Sequence, residues 1–126
     1  MKTLSQVLGA RRAAVVTVSP RETLAHALEL MTKHHVGAVL VMQNGHAVGV
    51  VTEQDCARQT ANAARVQEVM TPVVCAPQQT TVRDALAIMT ERHVSHLPVL
   101  DDYKDIVGLV SMGTLTQETT AAQPPG

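Results

Sequence analysis

The chain contains no phenylalanine and no tryptophan, and Tyr103 is its single aromatic residue in 126. Modules that read nucleic acid by stacking bases on rings are therefore excluded, and any nucleobase bound here has to be held between aliphatic side chains. Cysteine is nearly absent as well. Cys56 and Cys75 stand far apart with no C-x-x-C pair, so neither a disulfide framework nor a zinc knuckle is suggested, and a reducing cytoplasm is the expected setting. Charge of one sign is also missing: ten Lys and Arg face eleven Asp and Glu, with no basic block to bind a phosphate backbone by counterion release. No stretch of 18 uncharged apolar residues occurs, which excludes a transmembrane helix. The segment after Arg11-Arg12 is too short and β-branched for a signal sequence, so this pair reads as a solvated turn. What is present is aliphatic: 45% of residues are apolar, enough for the core of one compact unit of 13.4 kDa.

The chain repeats itself. Residues 17–56 and 74–115 are two versions of one pattern. Leu24, Ala27, Leu28 and Met31 fall at i, i+3, i+4 and i+7, as do Val82, Ala85, Leu86 and Met89, and each set runs on to a histidine, His35 or His93. Each repeat thus carries an amphipathic helix, with Thr23 and Thr81 as N-caps. Two apolar runs follow, split by Gln43-Asn44-Gly45-His46 or by Asp101-Asp102-Tyr103-Lys104, and read as a strand, a turn and a strand. Thr52 and Ser111 then stand where second helices, 52–60 and 111–118, begin. With short upstream strands at Val15-Val18 and Val73-Cys75, each unit reads β-α-β-β-α, and Val66-Met70 adds a turn of helix. Two helices cannot cover both faces of a three-stranded sheet, so the expected fold is α+β, with the repeats packed sheet to sheet about a pseudo-twofold axis and a cleft on that axis. The expected boundaries are residues 1–65, including the amino-terminal segment, 66–118, and a disordered tail at 119–126.

In its order and its double occurrence, this pattern resembles a tandem cystathionine β-synthase (CBS) domain pair, or Bateman module, of the small stand-alone bacterial type. The residues that carry the resemblance are Val36-Gly37-Ala38-Val39-Leu40-Val41, Val94-Ser95-His96-Leu97-Pro98-Val99, the two strand-to-helix junctions, and Val69-Met70-Thr71-Pro72 opening the second repeat. The resemblance implies a regulatory module without enzymatic activity of its own. It also implies an adenosine-containing ligand between the repeats, AMP, ADP or ATP first, with S-adenosylmethionine or NAD behind them. The chain ends with the second repeat, so its output is expected to act in trans on another protein, and the resemblance implies a homodimer formed through the outer helices.

Thr52 as N-cap offers a hydroxyl and helix amides to a phosphate, and Asp55, one turn on, offers a carboxylate to both ribose hydroxyls. T-x-x-D is equally an acidic capping box, in which Asp55 would only serve the helix terminus. The resemblance assigns Thr52 and Asp55 to the ligand, with Val50, Met70, Thr71 and Val73 beside them and Val94, Ser95 and His96 as the opposing surface. His96, or Arg92 or Arg58, would supply positive charge to a phosphate. The second junction, Ser111-Met112-Gly113-Thr114, has Thr114 where the acid is expected, and its opposing residues Val36, Gly37 and Ala38 lack polar side chains; this second site is expected to be weak or empty. His34-His35 and His93-x-x-His96 have no Cys or acidic cluster to complete a metal site, and His35 and His93 read as matched packing or cap residues. No base stands near Cys56 or Cys75, so no catalytic residue is assigned. The rival to a nucleotide sensor is an interaction scaffold that binds no ligand.

Overall fold

The structure, a computed structural model, describes residues 2–9, 15–58 and 64–122, the last three as backbone. The expected Arg11-Arg12 turn, most of the 60–66 connector and residues 123–126 of the expected 119–126 tail lie outside the described residues. Two compact units are present, residues 15–73 and residues 1–14 with 74–126.

The unit of residues 15–73 holds a four-stranded sheet in the order β1-β2-β3-β4. Strand β1 (Thr17–Val18) runs parallel to β2 (Ala38–Gln43) with Thr17 opposite Leu40. Helix α2 (Leu24–His34) connects them, and α1 (Leu4–Leu8) belongs to the other unit. Asn44 and Gly45, at φ 52° and 80°, turn the chain into β3 (His46–Thr52), as the Asn-Gly pair foretold. Helices α3 (Glu53–Ala57) and α4 (Val66–Val69) follow, and β4 (Thr71–Pro72) adds itself antiparallel to β3, Val50 opposite Thr71. Val18, Leu24, Ala27, Met31, Val39, Val41, Val51 and Val66 form the core. Leu28 departs from the expected stripe and stays 42% exposed, because the faces of Leu24, Ala27 and Met31 already fill the contact with the sheet.

The other unit repeats this plan with β5 (Ala76–Pro77), α5 (Val82–Arg92), β6 (His96–Leu100), β7 (Ile106–Ser111) and α6 (Met112–Ala122). Its sheet has the order β5-β6-β7, and its hairpin carries a register shift after Val99 that matches the one after Val41. Thr23 and Thr81 cap α2 and α5, accepting from His26 N and Asp84 N at 3.2 Å each. His35 and His93 close the same helices in the left-handed conformation, φ 55° and 56°. Val36 N donates to Met31 O and Val94 N to Met89 O, each at 3.0 Å, which completes a Schellman closure. The cap role of the paired histidines is therefore what the repeat suggested.

Three further expectations differ from the structure. Helix α6 runs to Ala122, so residues 119–122 are helical and not a disordered tail; no helix breaker stands before Pro124. Cys75 lies just outside a strand, since pairing with β6 begins at Ala76. The spatial units also cross the sequence boundaries at 65 and 66. Helix α1 (Leu4–Leu8) docks on the second repeat, where Leu4 is fully buried in the core with Val82, Met89 and Leu97. Helix α4 docks on the first repeat, where Val66 is fully buried.

These two short helices are equivalents. Leu4 N donates to Thr80 O and Val66 N to Glu22 O, both at 2.8 Å; Val82 N donates to Lys2 O at 2.9 Å and Leu24 N to Ala64 O at 3.1 Å. Leu8 lies over Gly108 and Met70 over Gly49, so closely that a Cβ on either glycine would meet the side chain at 2.6 or 2.7 Å. A glycine in the second strand of each hairpin, Gly49 in β3 and Gly108 in β7, thus admits the closing helix.

Candidate functional site

The junction at Thr52 is built from three segments of one unit. Ala38 of β2 pairs with Thr52, Val50 of β3 pairs with Thr71 of β4, and Met70 covers Gly49. Val50 is buried, while Thr52, Asp55, Met70, Thr71 and Val73 are half-buried; of the residues assigned to the ligand, Val50 pairs with Thr71, Thr52 with Asp55 through the cap, and Met70 lies over the neighbouring Gly49, whereas Val73 makes none of these contacts. The other three, Val94, Ser95 and His96, belong to the second unit, where Ser95 Oγ lies 3.0 Å from His96 Nδ1 and His96 pairs with Ser111.

Thr52 is an N-cap, and the capping box is complete: Asp55 N donates to Thr52 Oγ1 at 3.1 Å and Thr52 N donates to Asp55 Oδ2 at 2.9 Å. The other carboxylate oxygen, Oδ1, takes no part in the cap. A further bond fills this helix end, since Glu53 N donates to Gly37 O at 3.0 Å. Two of the three first-turn amides of α3 are therefore occupied, leaving that of Gln54, and the expectation of a helix end open to a phosphate is corrected. Helix α3 has only five residues, and its first turn carries the carboxylates of Glu53 and Asp55.

The second junction copies the backbone and not the charge. Met112 N donates to Ser95 O at 2.9 Å as Glu53 N does to Gly37 O, and Thr114 N donates to Ser111 Oγ at 3.1 Å. The Ser111 hydroxyl donates to Thr114 Oγ1 at 2.9 Å, so both hydroxyls are engaged with each other. Gly37 and Ser95 thus pin the junctions of their own repeats through their carbonyls. Sequence reasoning missed this role, though their matched positions two residues after His35 and His93 were its signal.

Burial first, then the carboxylates of Asp55 and Glu53, raises the Cys56 thiol above its ordinary pKa; burial alone raises Cys75. Both are thiols and not thiolates at neutral pH. Arg58 and Arg92 are exposed. Among the described residues no group of three or more His, Cys, Asp or Glu is placed to hold a metal ion, and no helix is long and apolar enough to cross a membrane.

The model of the CBS domain matches twice, at residues 8–62 and 66–119. The chain belongs to the CBS domain family. It is similar to the CBS domain-containing protein YhcV of Bacillus subtilis (strain 168), 32% identical over 129 residues that cover 98% of this chain and 91% of the relative. A solved protein with CBS domains from Burkholderia ambifaria MC40-6 superposes with a TM-score of 0.85 at 32% identity, covering 99% and 98% of the two chains. The CBS domain pair of protein MJ0100, solved with 5′-methylthioadenosine and S-adenosyl-L-methionine, shares the fold at 22% identity, a TM-score of 0.83 and 98% and 99% coverage. The resemblance to a CBS pair, and the mixed architecture of two small sheets with helices, therefore stand as read from the repeat.

Proposed function

We propose that this CBS pair is a regulatory module that senses an adenosine-containing ligand through the Thr52–Asp55 junction and acts in trans on another protein, without chemistry of its own. The observation that carries the reading is the state of Asp55: a half-buried carboxylate with one oxygen fixed by the cap and the other outside it. Fixing by the cap orients the second oxygen before a ribose arrives, which lowers the ordering cost of binding. The MJ0100 pair shows that this fold accepts adenosine derivatives. The resemblance adds Val94, Ser95 and His96 to the same ligand, which His96→Ala tests.

One observation favours the scaffold reading: the capping box already gives Thr52 and Asp55 a structural task. Dye-reported thermal shift, suited to a chain without Trp, separates the two. A bound adenosine derivative at 100 times its dissociation constant stabilises by about 2.7 kcal/mol. A flat response to adenosine, AMP, ATP, NADH and S-adenosylmethionine would leave the scaffold in place. The module is further expected to be a homodimer in the cytoplasm, with exposed Leu28 on α2 as an apolar surface group; light scattering near twice 13.4 kDa checks the dimer.

A further inference from the structure

We infer that Met70 is an oxidative modification site: a peroxide converts its thioether to the sulfoxide, which loosens α4 and β4 from the first sheet and leaves the second sheet, closed by Leu8, untouched. No ligand is required for this response.

The two repeats supply a matched pair of closures with different chemistry. Leu8 ends α1 and Met70 follows α4, and each lies on a glycine of its own sheet, Gly108 or Gly49. A Cβ on Gly49 would meet the Met70 sulfur first, at 2.7 Å, then Cγ at 2.9 Å; on Gly108 it would meet the carbons of Leu8. Leucine is inert to peroxide, whereas a thioether is not. The sulfur lone pair attacks one peroxide oxygen, and an S–O bond forms as the O–O bond breaks. The leaving hydroxide takes the proton of the transferred oxygen, so thioether and hydrogen peroxide give sulfoxide and water.

Exposure and position together single out Met70. Met31 and Met89 are fully buried, while Met42, Met70 and Met112 are half-buried and within reach of solvent. Of these three, Met70 is the one seated on a glycine. It packs against the core of residues 15–73 and joins the two closing elements: Met70 N donates to Val66 O at 3.0 Å, and the next residue, Thr71, pairs with Val50. The contact with Gly49 leaves no room for an added oxygen on the strand side, and the polar sulfoxide favours water over the apolar core. Lifting the side chain pulls on the segment that brings Val66 into the core and Thr71 to the sheet edge.

The test exposes the intact chain to dilute hydrogen peroxide, maps oxidised methionines by peptide mass spectrometry, and follows Tm and amide exchange. Expected is sulfoxide at Met70 ahead of Met31 and Met89, with a fall in Tm of at least about 4 °C. The amides of Leu24, Val66 and Gln67, which bond across the closing segment, should exchange at least about tenfold faster, and those of Leu4 and Val82 as before. Methionine sulfoxide reductases with dithiothreitol should restore both readings. Met70→Leu, a volume-conserving change that copies the second repeat, should lose the response to peroxide, and Leu8→Met should move it to the amides of Leu4 and Val82. An equal fall in Tm for oxidised Met70→Leu would overturn the inference by placing the effect on another residue. Complete oxidation of Met70 with Tm and exchange unchanged would also overturn it, as would Met70 staying a thioether while Met42 and Met112 are oxidised.

Discussion

Asp55 is asked to serve a helix cap and a ribose at once, and two substitutions separate the tasks. Asp55→Asn keeps a side-chain oxygen able to accept from Thr52 N, the 2.9 Å bond of the capping box, but loses the charge and one acceptor. Asp55→Ala loses everything and strands the half-buried Thr52 amide. The Ala variant should therefore be less stable by about 0.5–2 kcal/mol, or roughly 2–8 °C in Tm, and the Asn variant by only a fraction of that. Ligand binding should order them differently. Two charge-assisted ribose bonds contribute about 1.5–3 kcal/mol each, so both variants should bind adenosine at least about tenfold more weakly than wild type. Differential scanning calorimetry reads the first quantity and isothermal titration the second, on protein whose circular dichroism is unchanged. If Asp55→Asn bound adenosine as tightly as wild type, the carboxylate would be a cap alone.

Three further outcomes follow from the packing and the titration. Leu4→Ala should destabilise the chain by about 2–5 kcal/mol, measured by urea unfolding, because the side chain is fully buried among Val82, Met89 and Leu97. Gly108→Ala should cost about 1–3 kcal/mol and more than Gly49→Ala, since the new Cβ meets branched Leu8 at 2.6 Å in one case and flexible Met70 at 2.7 Å in the other; equal losses would contradict the account. Cys56 should react slowly with a thiol-specific reagent at neutral pH and faster in Glu53→Gln, since that removes one of the charges raising its pKa. Because the folded-state pKa is raised, this thiol's contribution to stability is full below the ordinary thiol range and is lost as pH climbs through the folded value; Cys56→Ala should flatten that alkaline decline.

Local signals were legible. Thr23, Thr81 and Thr52 cap where their positions before apolar stripes said they would, because an N-cap is set by neighbours three residues away. The hairpins were legible for a related reason: alternating β-branched runs around Asn44-Gly45 leave few other registers. The closing elements were legible only in part: the turn of helix at Val66-Met70 was read and is α4, but α1, with five residues, is too short for a 3.6-residue period to emerge, and β4 and β5 have two residues each, defined by partners far along the chain. A faint signal existed in the match of Leu4-x-x-Val7-Leu8 with Val66-x-x-Val69-Met70, which carries the same buried and covering residues. The Thr52–Asp55 site was legible as residues and ambiguous as chemistry, since a capping box and a ribose acceptor ask for the same side chains at the same spacing.

The position of those two helices changes how the duplication is to be understood. In sequence, each repeat begins with its short helix; in space, α1 closes the sheet of the second repeat and α4 closes that of the first. Residues 1–65 alone would lack Val66 from their core and β4 from their sheet edge, and residues 66–118 alone would lack Leu4 and the bonds from Leu4 N to Thr80 O and from Val82 N to Lys2 O. Each leaves a cavity and unpaired amides, both of which are costly. Neither repeat is therefore complete within its own sequence boundaries, which is a physical reason for such a chain to carry its repeats in pairs. The same exchange reaches the candidate site. Val50, Thr52 and Asp55 come from the end of the first repeat, while Met70 and Thr71 arrive from the start of the second and are seated by Gly49. Under the proposed reading, a ligand held by residues from both sides of residue 65 would fit at Thr52 only with α4 docked. Binding would then be coupled to closure of the first sheet, the coupling a module needs if occupancy of one site is to be felt along the rest of the chain.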